Sequence, residues 1–254
     1  MTLLNVRDLT LSFGGVKAVN AISFDIQAGE IFTIIGPNGA GKTTLFNLLS
    51  RIYRPTGGEI TFDGMNITNV AAHRIAKLGI ARTFQNIELF EHASVLHNLL
   101  VGRQAHVETN VLQEMLFLPS VRKRELEHRD VAERVIELLR LEHARDELIA
   151  NLPYGVRKIV EIARALCTQP KLLLLDEPSS GLNPEETHDI GFWIRDIRDD
   201  LGITIALVEH DMGLVGRVSD RVMAIDQGQM VAVGRPDEVR QNPQVLSAYL
   251  GIPS

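Results

Sequence analysis

The chain has 254 residues, 45% of them hydrophobic and 23% charged, with a formal net charge of −6. These values suit a globular protein of one or two domains with a sizeable core, and the acidic balance, with no Lys/Arg block of five or more, excludes a nucleic-acid partner held by bulk electrostatics. The single cysteine, Cys167, excludes an internal disulfide and suits a reducing compartment; with no signal-peptide pattern and no apolar run near the ~20 residues that span a bilayer, membrane association is expected only through a partner.

Taken in chain order, Leu3 to Phe13 alternates and predicts a strand, as does Ile22 to Ile26. Ala28-Gly29-Glu30 reads as a turn. Ile31 to Ile35 is a short apolar run rich in β-branched residues that leads into glycines, the pattern of a buried strand feeding a loop. Lys42 to Ser50 reads as a helix, Thr56-Gly57-Gly58 as a turn and Glu59 to Phe62 as a strand. Beyond about Gln85 the strand signals thin out. Val121 to Leu141 spaces its apolar residues helically, and Gly155 to Cys167 puts Val156, Ile159, Val160, Ala163 and Leu166 on one expected face. Alternation then resumes: strand at Leu172 to Leu175, helix at Pro184 to Asp199, strand at Ile203 to Val208, and a hairpin of Val222 to Ile225 and Met230 to Val233 around Gly228. An α/β pattern interrupted by a helical insert predicts a mostly parallel sheet.

Between the Ile31 strand and the Lys42 helix lies Gly36-Pro37-Asn38-Gly39-Ala40-Gly41-Lys42-Thr43, with Thr44 beside it. The run fits the phosphate-loop pattern G-x-x-x-x-G-K-[ST] in its proper strand-to-helix setting. Glycines let backbone N–H groups wrap a phosphate, and the helix behind points its positive end at the anion. Lys42 adds a charge near the β/γ-phosphates, and Thr43 offers a hydroxyl to Mg²⁺. Residues 36–44 are therefore the expected nucleotide-binding segment.

Four leucines, Leu172 to Leu175, end in Asp176 and Glu177. A buried parallel strand delivers its carboxyl end to the ligand crevice. There Asp176 suits Mg²⁺, directly or through water, and Glu177 suits a general base for an attacking water. Taken alone, a solvated acidic turn would explain the pair as well. Beside a phosphate loop, the catalytic reading is the stronger.

Together with Asn151-Leu152-Pro153-Tyr154-Gly155-Val156-Arg157, these motifs resemble the nucleotide-binding domain of ABC transporters over nearly the whole chain. The stretch Gly79 to Asn86 and the ending Gly234 to Val239, with Ala248-Tyr249-Leu250-Gly251, resemble importer ATPases for branched-chain and other hydrophobic amino acids. Urea importer ATPases are similar. The resemblance implies a P-loop NTPase core of RecA-like type at residues 1–85 and 169–254, an antiparallel β subdomain, and a helical signature subdomain at 86–168. It implies further roles: Gln85 in a loop that contacts Mg²⁺ or water and relays to the membrane subunits, His210 as the switch histidine at the γ-phosphate, and Phe13 stacked on adenine.

Two segments depart from the family pattern. Where Leu-Ser-Gly-Gly-Gln is usual, the chain carries Leu152, Pro153, Tyr154, Gly155 and Val156, so the serine hydroxyl is absent; the Gly155 N–H and the helix start, with Tyr154, are what remain for a phosphate. Ser180-Gly181-Leu182-Asn183 replaces the common Ser-Ala-Leu-Asp, and Asn183 with Pro184 and Glu186 also reads as a helix cap with a capping box. The resemblance implies an ATPase using ATP and Mg²⁺. It would pair head to tail with a second, identical or related ABC ATPase and dock on two membrane permease subunits at the cytoplasmic face of a bacterial inner membrane. An extracytoplasmic solute-binding protein would serve it indirectly. A urea or amide importer and a weakly hydrolysing regulatory subunit are the alternatives. A DNA-repair or translation ATPase would carry a coiled-coil insertion or a second fused domain, and an unrelated P-loop kinase would leave the signature-like segment unexplained.

Overall fold

The structure, a computed structural model, describes residues 1–84, 87–106 and 119–250. Contacts group them into two units, residues 1–75 with 171–254, and residues 76–170.

In the first unit, β1 (Thr2–Phe13) and β2 (Val16–Gln27) pair antiparallel and extend into β4 (Gly57–Phe62) and β5 (Met65–Asn66), in the order β2-β1-β4-β5. The second strand is longer than its apolar stretch at Ile22 to Ile26 suggests, because its outer half is partly exposed and paired through Val16 to Val19. Asp8, at φ +47°, breaks the register of β1, so Leu4 and Val6 before it and Leu9 and Leu11 after it all stay buried. The expected turn at Thr56 to Gly58 is corrected here. Both glycines lie inside β4, and Gly58, at φ +88°, rests on the carbonyls of Arg7 and Asp8, where a Cβ would come within 2.5 Å of the Asp8 oxygen.

Beside these strands run β3 (Ile31–Ile35), β7 (Leu172–Asp176), β8 (Thr204–Val208), β9 (Arg221–Asp226) and β10 (Gln229–Gly234), following one another as β10-β9-β3-β8-β7. All but the β9–β10 pairing are parallel. Every residue of β3, β7 and β8 is buried, as a parallel sheet covered on both faces requires. The α/β core with an antiparallel β part is therefore as expected. The helices of this unit are α1 (Lys42–Leu49), α6 (Pro184–Leu201), α7 (Met212–Val218), α8 (Pro236–Arg240) and α9 (Pro243–Leu250). Val245 of α9 and Val239 of α8 pack with Ile35, Val215, Val222 and Ala224 in one buried cluster behind β3.

The second unit is mainly helical. It contains β6 (Ile80–Arg82), α3 (Val95–Gly102), α4 (Pro119–Leu138) and α5 (Tyr154–Leu166), with α2 (Ala72–Leu78) running into it from the first. Fully buried Asn98 accepts the Phe90 N–H at 2.8 Å and donates to the Phe90 and Ser94 carbonyls, which fixes the approach to α3. The expected face of α5 is corrected in part. Val160, Ala163 and Leu166 are buried, but Val156 and Ile159 are only half-buried, while Lys158 and Glu161 are buried. Glu161 is held there by a hydrogen bond from the Phe84 N–H at 3.1 Å, a partner that apolar spacing does not report.

Asn183 caps α6 as its sequence suggests. Its side chain accepts from the Glu185 and Glu186 N–H groups at 3.0 Å, and Glu186 reaches back to the Asn183 N–H at 3.0 Å. Asn183→Ala is expected to lower stability by about 1 kcal/mol in denaturant titration, the usual worth of such a cap. Cys167 is fully buried, and burial pushes its thiol up to about 12. Iodoacetamide at about pH 8 should leave the native chain unlabelled and modify it only in denaturant; labelling of the native form would contradict the burial.

Candidate functional site

Three strand ends meet on one edge of the parallel sheet. A single row of paired residues runs Ile34 in β3, Val208 in β8 and Asp176 in β7. Just beyond it, the chain leaves β3 into the loop 36–41, β8 into Glu209 and His210, and β7 into Glu177. The carboxyl ends of neighbouring parallel strands are where such sheets take their ligands.

The glycine loop is set by packing as well as by backbone freedom. At Gly36 a Cβ would stand 2.1 Å from the Ile225 carbonyl oxygen, and at Gly41 it would stand 2.5 Å from that of Ala18. Gly41, at φ +104°, precedes α1 directly. Gly228, in the β9–β10 turn, donates its N–H to the Ala40 carbonyl at 2.9 Å and accepts the Asn20 N–H at 2.8 Å. The loop is thus clasped between β2 and the hairpin. Its tip, Asn38 and Gly39, is exposed, Pro37 is half-buried and Ala40 is buried. Thr43 is exposed and Thr44 half-buried on the first turn of α1.

Lys42 is only 5% exposed and folds back, its Nζ donating to the Gly36 carbonyl at 2.8 Å and the Pro37 carbonyl at 3.0 Å. Burial lowers its pKa, and the charges of Glu177 and Asp176 oppose that, so both carboxylates lie close enough to act on it. Asp176 is 1% exposed at the end of β7. Glu177 takes a left-handed backbone, φ +49°, with its N–H bonded to the Val208 carbonyl at 2.9 Å. Such a conformation is costly for a non-glycine residue and persists where its surroundings enforce it. From there Glu177 Oε1 meets His210 Nε2 at 2.8 Å. The structure therefore brings together the loop, Lys42, Asp176, Glu177 and His210.

Phe13 ends β1, half-exposed, with its ring edge-on to Tyr53 at 5.4 Å. It is not a core phenylalanine. Gln85 lies outside the described residues. In the second unit, Pro153 occupies the cap position of α5 at φ −55°, with an exposed Tyr154 and a buried Gly155 opening the helix. Arg157 braces this start by donating to the Leu152 carbonyl at 2.8 Å and the Ala150 carbonyl at 2.7 Å. His97 pairs with Ser94 at 2.7 Å, and His128 accepts from Arg103 at 3.1 Å, so both serve local structure. Among the described residues no cluster of three His, Cys, Asp or Glu could hold a metal by itself.

Three further side chains belong to this edge, and the sequence reading singled out none of them. Tyr53 is the partner of Phe13. Tyr249, on α9, hydrogen-bonds the backbone of Gly36; desolvation raises its phenol pKa and that bond opposes the rise. Glu209, 2% exposed, turns its carboxylate back onto neighbouring backbone N–H groups. The Tyr249 contact had a trace in the ending around Ala248 to Gly251, but nothing in it pointed at the loop.

The arrangement offers a backbone cradle for an anion, a cation at its base, and hard oxygen donors in Thr43 and Asp176, the donor set that suits Mg²⁺. Residues 19–180 match the family model for "ABC transporter", and residues 229–252 match that for "Branched-chain amino acid ATP-binding cassette transporter". The chain is 42% identical over 249 residues to the high-affinity branched-chain amino acid transport ATP-binding protein BraF of Pseudomonas aeruginosa, covering 98% of each. It is 43% identical over 250 residues to the corresponding protein LivG of Escherichia coli K12, again covering 98% of each. Among solved structures, it is similar to the ADP conformation of an ATP-binding cassette of an ABC transporter, with a TM-score of 0.86 and 32% identity over 99% of both chains.

Gly36→Ala and Gly41→Ala should each weaken binding of a fluorescent ATP analogue by at least about tenfold, ~1.4 kcal/mol. Gly39→Ala should weaken it less, because a Cβ there meets nothing within 4 Å and only its φ of +81° opposes the change. Equal losses at all three positions would mean that backbone freedom, not packing, governs the loop.

Proposed function

The chain belongs to the ABC transporter family and is one of its ATPases, and from that premise we propose that it powers an importer for branched-chain or other hydrophobic amino acids. The observation that carries the catalytic part is the 2.8 Å contact between Glu177 and His210 beside the loop that holds Lys42. The substrate class rests on the names of the relatives and on the match at residues 229–252.

In this reading residues 36–44 wrap the phosphates of ATP with backbone N–H groups, and Lys42 exchanges its two loop carbonyls for phosphate oxygens. Thr43 and Asp176 would hold Mg²⁺, with Gln85 as a further ligand; bound there, the ion neutralises charge on the phosphates. Glu177 takes a proton from the attacking water. His210 holds Glu177 by Nε2 and is positioned to meet the γ-phosphate. Phe13 offers its exposed ring to adenine.

In this reading the nucleotide-binding core comprises 1–85 with 169–254 and the helical signature part 86–168, whereas contacts group 76–85 with the helical unit. In the working assembly, Tyr154 and Gly155 of one copy, at the start of α5, complete the phosphate site of a second ABC ATPase. Closure of the pair by ATP, and its release after hydrolysis, drive two membrane permease subunits, supplied from outside by a solute-binding protein. No helix of the described residues is long and apolar enough to cross a membrane. In this reading the permeases hold the chain peripherally at the cytoplasmic face.

Glu177→Gln should retain ATP binding and lose turnover by about 10²–10⁴-fold, the range for a general base, whereas Lys42→Ala should lose ATP binding itself. Tagged Glu177→Gln, recovered from detergent-solubilised membranes with ATP and Mg²⁺, should bring multi-span membrane proteins and an amino-acid-binding protein with it. Undiminished turnover of Glu177→Gln would remove the base assignment. Recovery of soluble partners alone would remove the importer and leave the ATPase.

A further inference from the structure

Between the end of β8 and the end of β7 a buried carboxylate makes contacts that the catalytic reading does not use. Glu209 is 2% exposed. Its Oε1 accepts the N–H of Ser179 at 2.9 Å, two residues beyond Glu177. Its Oε2 accepts the N–H of His210 at 2.9 Å and, more weakly, that of Asp211 at 3.4 Å. Asp211 in turn caps α7 by accepting the Leu214 N–H at 2.7 Å, so the far side of the turn is anchored to a helix. One side chain thus spans two loops that share no covalent neighbour, and it does so through backbone, not through the reacting groups.

We propose that Glu209 is a positioning residue for hydrolysis: its carboxylate locks the backbone of the segment after Glu177 to the backbone that carries His210, and so holds the 2.8 Å contact between those two side chains. The inference rests on the assignment of Glu177 and His210 above. Glu177 is kept in a left-handed backbone, and His210 lies in the short connection between β8 and α7, so neither stands on a regular element. The Glu177 N–H bond to the Val208 carbonyl fixes the two strand ends, and Glu209 extends that tie beyond them, to Ser179 and His210; a misplacement on the order of 1 Å there costs ~10²-fold in rate.

Glu209→Gln is the discriminating change. It keeps size and one acceptor oxygen, but sets an NH₂ group against the Ser179 or the His210 N–H, where a donor faces a donor. Single-turnover ATP hydrolysis with enzyme in excess, measured on the full chain, should slow by about tenfold or more, with ATP affinity within about twofold of the parent. In the His210→Ala background the same substitution should add less than about twofold, because its effect passes through that histidine. Glu209→Asp keeps the charge but is one methylene too short to reach both loops, and should show the same pattern. It decides the question if Glu209→Gln loses its cooperative thermal unfolding. An unchanged rate, or an equal slowing with and without His210, overturns the proposal. If His210→Ala and Glu177→Gln themselves hydrolyse normally, it is the assignment of those two that fails, and the Glu209 proposal falls with it.

Discussion

The row of backbone pairing that joins Ile34, Val208 and Asp176 is the constraint on which the rest of the site depends. Parallel register is set by continuous burial on both faces, and a slip of one residue in β8 would carry His210 away from Glu177 and Glu209 away from Ser179. Five buried residues in each of three adjacent strands make that slip costly. The apolar core therefore does more than stabilise. It aligns three connections, with the glycine loop on one, Glu177 on another and His210 between them.

The cradle itself is held by shape. Its glycines are needed where carbonyls crowd in, from Ile225 on the hairpin side and Ala18 on the β2 side. The antiparallel sheet thus contributes to the phosphate site through its backbone, and the hairpin closes on it through Gly228 and Ala40. Lys42 fills the cradle's base with two bonds to loop carbonyls. A buried ammonium so arranged is satisfied by neutral acceptors.

Much of this was readable in the residues. The strand at Ile31, the loop after it, the four leucines ending in two acids, and the capping residues at Asn183 each carry a local pattern tied to one physical cause. What was not readable depends on contacts distant in sequence. Gly57 and Gly58 read as a turn because glycine permits turns, but Gly58 is pressed onto the carbonyls of Arg7 and Asp8 and Gly57 pairs with Thr10, so both are strand residues. The buried side of α5 departs from its apolar spacing at Val156 and Ile159, and it takes in Glu161, which accepts a backbone N–H that no periodicity records. Glu209 and Tyr249 act through contacts with Ser179 and with the Gly36 backbone, which no local sequence pattern marks.

The proline in the signature-like segment shows how such departures are best weighed. Pro153 occupies the cap position of α5, where φ near −55° suits its ring and where only its carbonyl is required, accepting the Arg157 N–H at 3.1 Å. A serine there would contribute a hydroxyl to a ligand, and it would also compete for the first N–H groups of the helix, as serine caps do. Proline removes both effects. The helix start keeps its dipole and the N–H groups that have no acceptor within the helix, and Arg157 braces the approach from the preceding carbonyls. The loss is one side-chain hydrogen bond, of about 1.5–3 kcal/mol if made to a charged phosphate. The proposed role of Tyr154 and Gly155 in completing a neighbouring phosphate site therefore needs no serine, only that the backbone of this turn face the ligand.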